Sequence, residues 1–204
     1  LVVRRKRDPM SVDTTKPRVT TGSGFTIRAF ARIIDMLFIY AAGMVGGILG
    51  VIILAIFQRI GRLDAGWDQK LQANGVDYFI FGLLGAICYH TISEGVHGSS
   101  LGKQICRIRV IQMNGRPCTI KAALIRTLAW FIDSMFFGLI GYTSMTKSPL
   151  NRRYGDIYAK TLVVRSRAVT SIHPRGSIHF ILGLFLGTTT TVMFNTIAVL
   201  VRCT

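Results

Sequence analysis

Ile33-Ile34-Asp35-Met36-Leu37-Phe38-Ile39-Tyr40-Ala41-Ala42-Gly43-Met44-Val45-Gly46-Gly47-Ile48-Leu49-Gly50-Val51-Ile52-Ile53-Leu54-Ala55-Ile56-Phe57 is a run of 25 residues whose only charge is Asp35. As a helix it is roughly 37 Å long, enough to cross a hydrocarbon core of about 30 Å with some tilt. It therefore reads as a transmembrane helix. Gly43, Gly46, Gly47 and Gly50 form two overlapping GxxxG spacings, which let another helix backbone approach closely.

Two further spans follow from the same test. Tyr78 to Ser93 is shorter, with Asp77 and Glu94 marking its ends. Ile178 to Val201 contains no Asp, Glu, Lys or Arg, and places Gly183 and Gly187 at GxxxG spacing. Its hydroxyls at Thr188 to Thr191 and the amide of Asn195 can be satisfied on their own helix or on a neighbour. The whole chain agrees: 204 residues, half of them apolar, with a mean hydropathy of +0.44. A formal charge of +16, from 25 basic and 9 acidic residues, excludes an acidic disordered chain. Taken alone that charge could suggest nucleic acid, but a nucleic-acid binder does not carry such a span. Four scattered cysteines without CxxC or His at ligand spacing give no metal or disulfide framework.

Charge in the connecting segments sets the expected topology. Residues 1–28 carry 7 basic and 2 acidic groups, 58–77 carry 3 and 3, 94–126 carry 6 and 1, and 147–177 carry 7 and 1. Three of the four belong on the cytoplasmic side by the positive-inside rule. Residues 1–24 then read as a basic cytoplasmic tail, broken by Pro9 and Pro17. No apolar stretch near residue 10 could serve as a signal-peptide core, so cleavage there is not expected. The segment 122–146 is apolar but interrupted by Arg126 and Asp133. A full crossing would place a strongly basic loop outside. The favoured reading is a broken or re-entrant hairpin bending near Asp133 to Gly138, with a plain fourth crossing as the alternative. Arg107 to Met113 alternates and runs into Asn114-Gly115, a type I′ hairpin signal. Thr161 to Arg165 is a second strand-like run, and a small cytoplasmic sheet or hairpin would use both.

The sequence also echoes itself. Ile27-Arg28-Ala29-Phe30-Ala31-Arg32-Ile33-Ile34-Asp35 aligns with Ile125-Arg126-Thr127-Leu128-Ala129-Trp130-Phe131-Ile132-Asp133, identical at five of nine positions. Each Arg precedes its Asp by almost two helical turns, so the pair shares a face but stands about 10 Å apart. Arg32 is the nearer candidate partner for Asp35. Asp133 has Trp130 there instead and needs a partner from another helix, Arg28 or Arg32. An intramembrane carboxylate normally faces protein or water. It can be an ion site, or part of an Arg–Asp clasp between helices.

Arg28 to Asp35, Ser100-Leu101-Gly102-Lys103, Arg109-Val110-Ile111 with Asn114-Gly115-Arg116-Pro117, Arg126 to Asp133, and Arg153-Tyr154-Gly155-Asp156 before Thr161 follow one another in an order that resembles the RDD family of bacterial membrane proteins. The resemblance covers about residues 25–166 and leaves 167–204 as a linker and an additional terminal helix. It implies that Arg28 and Asp35 are two of the signature residues, the remaining aspartate being Asp156 or Asp133. It implies transport of ions or other solutes in a bacterial inner membrane. In such a transporter the intramembrane residues Asp35 and Asp133 would bind the ion, with Arg28 and Arg126 as their partners. The alternative is an accessory subunit docked on a larger complex, or on further copies, through the two glycine faces.

Other motifs carry less. Gly98 to Lys103 imitates a phosphate loop, but has three residues between its glycines and Gln104 after the lysine. Lys103 then belongs at the lipid headgroups. Arg152, Arg153 and Lys160 could bind anionic headgroups. His90 and His97 are too isolated to form a metal site. No enzyme and no cofactor are expected.

Overall fold

A computed structural model describes residues 22–63, 76–168 and 176–203. Most of the basic tail 1–24 and the start of the linker after residue 168 lie outside the described residues. The first helix, α1, is Phe25–Arg59 and begins two turns before the uncharged run, so Arg28 and Arg32 are part of it. It ends in paired backbone bonds, Arg62 N–H to Phe57 and Gly61 N–H to Gln58, with Gly61 at φ +67°. This is the Schellman closure, which needs a left-handed residue at that point.

The second helix, α2, is Val76–Val96. It runs through Glu94 rather than stopping before it, because Glu94 is neutralised inside the protein. A short helix, α3 (Leu101–Ile105), leads into β1 (Ile108–Gln112). Then come α4 (Ile120–Ser134), a 3₁₀ turn (Met135–Gly138) and α5 (Leu139–Lys147). A second short helix, α6 (Tyr154–Tyr158), leads into β2 (Thr161–Arg165), and α7 (Ser177–Cys203) completes the described chain.

Among the described residues three helices are long and apolar enough to cross a membrane: Phe25–Arg59, Tyr78–Val96 and Ser177–Val201. The α4–α5 pair is bent by 109°. Left-handed backbone at Phe136 and Gly138 makes the bend. Ile120, at the start of α4, lies against Gly95 of α2, while Phe25, the first residue of α1, packs on Tyr142 of α5 at 5.4 Å. Both arms thus sit at the end of the bundle where α1 begins and α2 finishes. The chain is an all-α membrane protein with three candidate spans among the described residues and one bent pair, a broken span or a re-entrant segment.

The two strands pair antiparallel, Ile108 opposite Arg165 and Gln112 opposite Thr161. The expected hairpin is reduced to a turn and one bridge between Ile111 and Pro117. Of Asn114 and Gly115 only Gly115 is left-handed, at φ +79°, so the turn is not type I′. A distant strand, not the returning chain, completes the sheet. Ile108, Val110 and Val163 pack with Ala31, Ala122 and Ala123 in a small core beneath it.

The glycines of α1 bring α7 close. A Cβ on Gly46 would stand 2.5 Å from the Val192 carbonyl, and one on Gly50 2.6 Å from Val199 Cβ, whereas Gly47 faces open space. On α7, Gly183 and Gly187 receive Val96, Ser93 and Tyr89 of α2. The docking faces expected for a partner subunit are therefore occupied within the chain, Gly47 excepted. In α7, Thr188 to Thr191 donate to carbonyls one turn back, and Asn195 donates to Thr191 O at 2.9 Å.

Candidate functional site

The sequence echo becomes a spatial one. Ala31 and Ala129 occupy matching places in α1 and α4, and each meets the glycine of a short helix. A Cβ on Gly102 would stand 2.0 Å from the Ala31 carbonyl oxygen, and one on Gly155 3.0 Å from Ala129 Cβ. With the short helices that close, the Gly102 amide donates to Asp35 at 2.8 Å, and the Gly155 amide donates to Asp133 at 3.3 Å. The match continues beyond the glycines. Arg107 and Lys160, each five residues further on, are left-handed at φ 54° and 51°. Val110 and Val163, each eight residues on, face one another across the sheet. A helix, a short helix and a strand are thus built twice and joined strand to strand.

Asp35 is fully buried and is held by three donors. Besides Gly102, Ser100 Oγ donates at 2.5 Å and Tyr89 Oη at 3.2 Å. Arg32 is not its contact partner: the guanidinium lies over the Trp130 ring at 4.4 Å. Asp133 takes the Gly155 amide rather than Arg28 or Arg32, because Arg28 is bound elsewhere and Arg32 is on Trp130. Within each echo the Arg and Asp do not meet, as their separation along the helix requires.

The two echoed arginines converge on Asp156. Arg28 Nη1 contacts its Oδ2 at 2.6 Å, and Arg126 Nη1 its Oδ1 at 2.8 Å. Arg28 also donates to Ser23 and to the Asn151 carbonyl. Burial pushes the Asp156 carboxyl up, but Arg126 and then Arg28 outweigh it and bring it down to about 2. Arg126 reaches Glu94 Oε2 at 3.3 Å, a charge contact without hydrogen-bond alignment. Glu94 in turn holds Lys103, whose side chain is 13 % exposed. Lys103 is therefore not at the lipid headgroups; α3 packs on α1, and Glu94 of α2 draws the ammonium inward. The result is one line of alternating sign, Lys103, Glu94, Arg126, Asp156, Arg28, joining α3, α2, α4, α6 and α1.

Of the residues expected to contact headgroups, Lys160 is exposed and Arg152 half-buried, while Arg153 stacks over Phe25 at 5.6 Å. Glu94, Ser100 and Tyr89 were not singled out as site residues in the sequence. The available signal for Glu94 was that it is the chain's single glutamate. Among the described residues no group of three or more His, Cys, Asp or Glu could hold a metal ion.

Between α1 and α2 lies a groove of about 620 Å³, floored by Asn195 of α7. The groove exists because α1 and α2 scarcely touch, each packing instead on α7. Its wall is apolar along Met36, Met44, Phe79, Leu83 and Ile87, and bears Arg32 and His90 where it reaches Thr127 and Trp130 of α4. Behind Arg32 is a second cavity of about 50 Å³, lined by the alternating charges.

A model of the RDD family matches residues 23–160, from just before α1 to the turn before β2. The chain belongs to the RDD family. No curated protein and no solved structure matches it. In this RDD protein the buried ion line lies wholly within the matched residues, whereas α7, which floors the groove, lies outside them.

Proposed function

We propose that this RDD protein transports a charged solute across a bacterial inner membrane, its amino terminus on the cytoplasmic side. The groove between α1 and α2 receives the solute, and the ion-paired cluster closes the groove's end. The observation that carries this reading is the continuity of an apolar groove, set between two spans, with a small charged cavity behind Arg32. Asp35 and Asp133 hold the short helices and do not serve as the exchanging ion site. Asp35 already accepts three hydrogen bonds, which an ion would have to displace. The accessory-subunit alternative keeps only Gly47 among its docking glycines. Transport by so few spans calls for more than one copy.

The test is electrical. Proteoliposomes on a solid-supported membrane are given concentration jumps of sodium, potassium, protons and carboxylates of increasing chain length. At least one jump should give a current above that of protein-free liposomes. Ala86→Phe, which fills the groove, should abolish it. Silence under every jump overturns the transport reading.

A further inference from the structure

We propose that the groove binds a long-chain carboxylate, with its head on Arg32 and its aliphatic tail between α1 and α2. This deepens the transport reading by naming a solute class, but it concerns binding and stands or falls separately. Three observations carry it.

The first is charge. Five cationic and three acidic side chains line the small cavity, so its lining is net positive. Three of the cations are in ion pairs; Arg32 and Arg153 lie instead against aromatic rings. The buried Nε of each has no hydrogen-bond partner, but of the two only Arg32 also faces the groove. A guanidinium in that condition recognises an anion, and its planar fork suits a carboxylate. Trp130 beneath it fixes the plane of the fork.

The second is shape. From Arg32 to Met44 the groove follows α1 for roughly 18 Å, and its wall over that length is mostly apolar, with Tyr40, Tyr78 and Asn195 as the polar exceptions. The volume, about 620 Å³, is that of a small-molecule site, which typically spans roughly 300–1,000 Å³. Such a wall can hold an aliphatic chain but gives a polar solute little to bond with. The third is the size of the head compartment. At about 50 Å³ it admits a carboxylate and not a glycerophosphate headgroup. A free acid is therefore selected over a two-chain phospholipid, although both offer an anion on an apolar tail.

Trp130 supplies the readout. With Trp67→Phe as background it is the remaining one of two tryptophans. Nitroxide-labelled stearate, titrated into the protein in nanodiscs, should quench Trp130 saturably, and oleate should reverse the quenching. Arg32→Gln should weaken binding about tenfold or more, as expected for losing a charge-assisted contact. Arg32→Lys should retain much of it. Absence of saturable quenching overturns the proposal, as does equal affinity in Arg32→Gln. Displacement by phosphatidylglycerol as effective as by oleate also overturns it, because the groove would then be a site for bilayer lipid. Should Arg32→Gln fail to fold, as judged by thermal unfolding, Ala86→Phe takes its place. That variant must lose binding, and retained binding sinks the idea. Saturable binding with no current would leave this proposal standing and remove the transport reading; a sodium current without binding would do the reverse.

Discussion

Asp156 is the residue on which the buried charges depend. Its 3 % exposure leaves water little access, and both of its oxygens are committed to guanidinium groups from different helices. Removing one member of a buried pair leaves the other charge stranded, at a cost of about 3–5 kcal/mol. Here two arginines would be stranded, so Asp156→Asn should lower thermal stability in detergent by at least that much. The pH dependence has a definite sign. A carboxyl at about 2 when folded, below its ordinary value, stabilises the fold above pH of roughly 4; that contribution is lost as pH falls toward 2. Wild-type stability should therefore drop across that window, and Asp156→Asn should flatten the drop. Asp35→Asn is expected to destabilise too, since its carboxylate gathers donors from α2 and α3. At this scale the sequence was half legible. The Arg/Asp echo announced which residues would be buried, but periodicity along one helix cannot say which opposite charge arrives from elsewhere. Hence Arg28 finds Asp156 rather than Asp133. Glu94 reads as the end of a span in the sequence, because a lone acid beside an apolar run has the look of a boundary while its cations lie elsewhere in the chain.

At the scale of elements, hydropathy located every long helix, since a span must be apolar whatever it packs against. Their true ends were less visible: α1 extends two turns beyond the apolar run because Arg28 finds buried Asp156 and Arg32 lies over the Trp130 ring. The sheet was legible as two strands but not as a pairing, because strand partners far apart in sequence leave no local signal. The glycine spacing showed that close contact was available; only the structure shows that α7 takes it. That contact separates two neighbouring positions. A Cβ at Gly46 already meets the Val192 backbone, whereas a Cβ at Gly47 meets nothing within 4 Å. Gly46→Leu should cost about 1–3 kcal/mol or more, by overpacking against backbone that cannot give way. Gly47→Leu should leave the melting temperature nearly unchanged. Equal losses in the two variants would mean that α1 presents a different face to α7.

For the whole molecule, the repeated helix, short helix and strand gather the charges at one end of the bundle. The first copy has a transmembrane helical hairpin, α1 and α2, between its Asp and its short helix; the second has only the bent α4–α5 pair in that place. Without a second long helix, α5 turns back to the end from which α4 started, and Phe25 meets Tyr142 there. If the bent pair is re-entrant, the basic segments 94–126 and 147–177 belong on one side of the membrane, as the positive-inside rule asks. Cysteine labelling in sealed vesicles tests this directly. In a background with the native cysteines replaced, Asn114→Cys and Lys147→Cys, both exposed, should react from the same side. Gly61→Cys, at the far end of α1, should react only from the other. If Lys147→Cys instead labels together with Gly61→Cys, α4 and α5 cross the bilayer. The buried ion line would then be broken, because Asp156, which follows α5, could not lie on the same side of the membrane as Arg28 and Arg126.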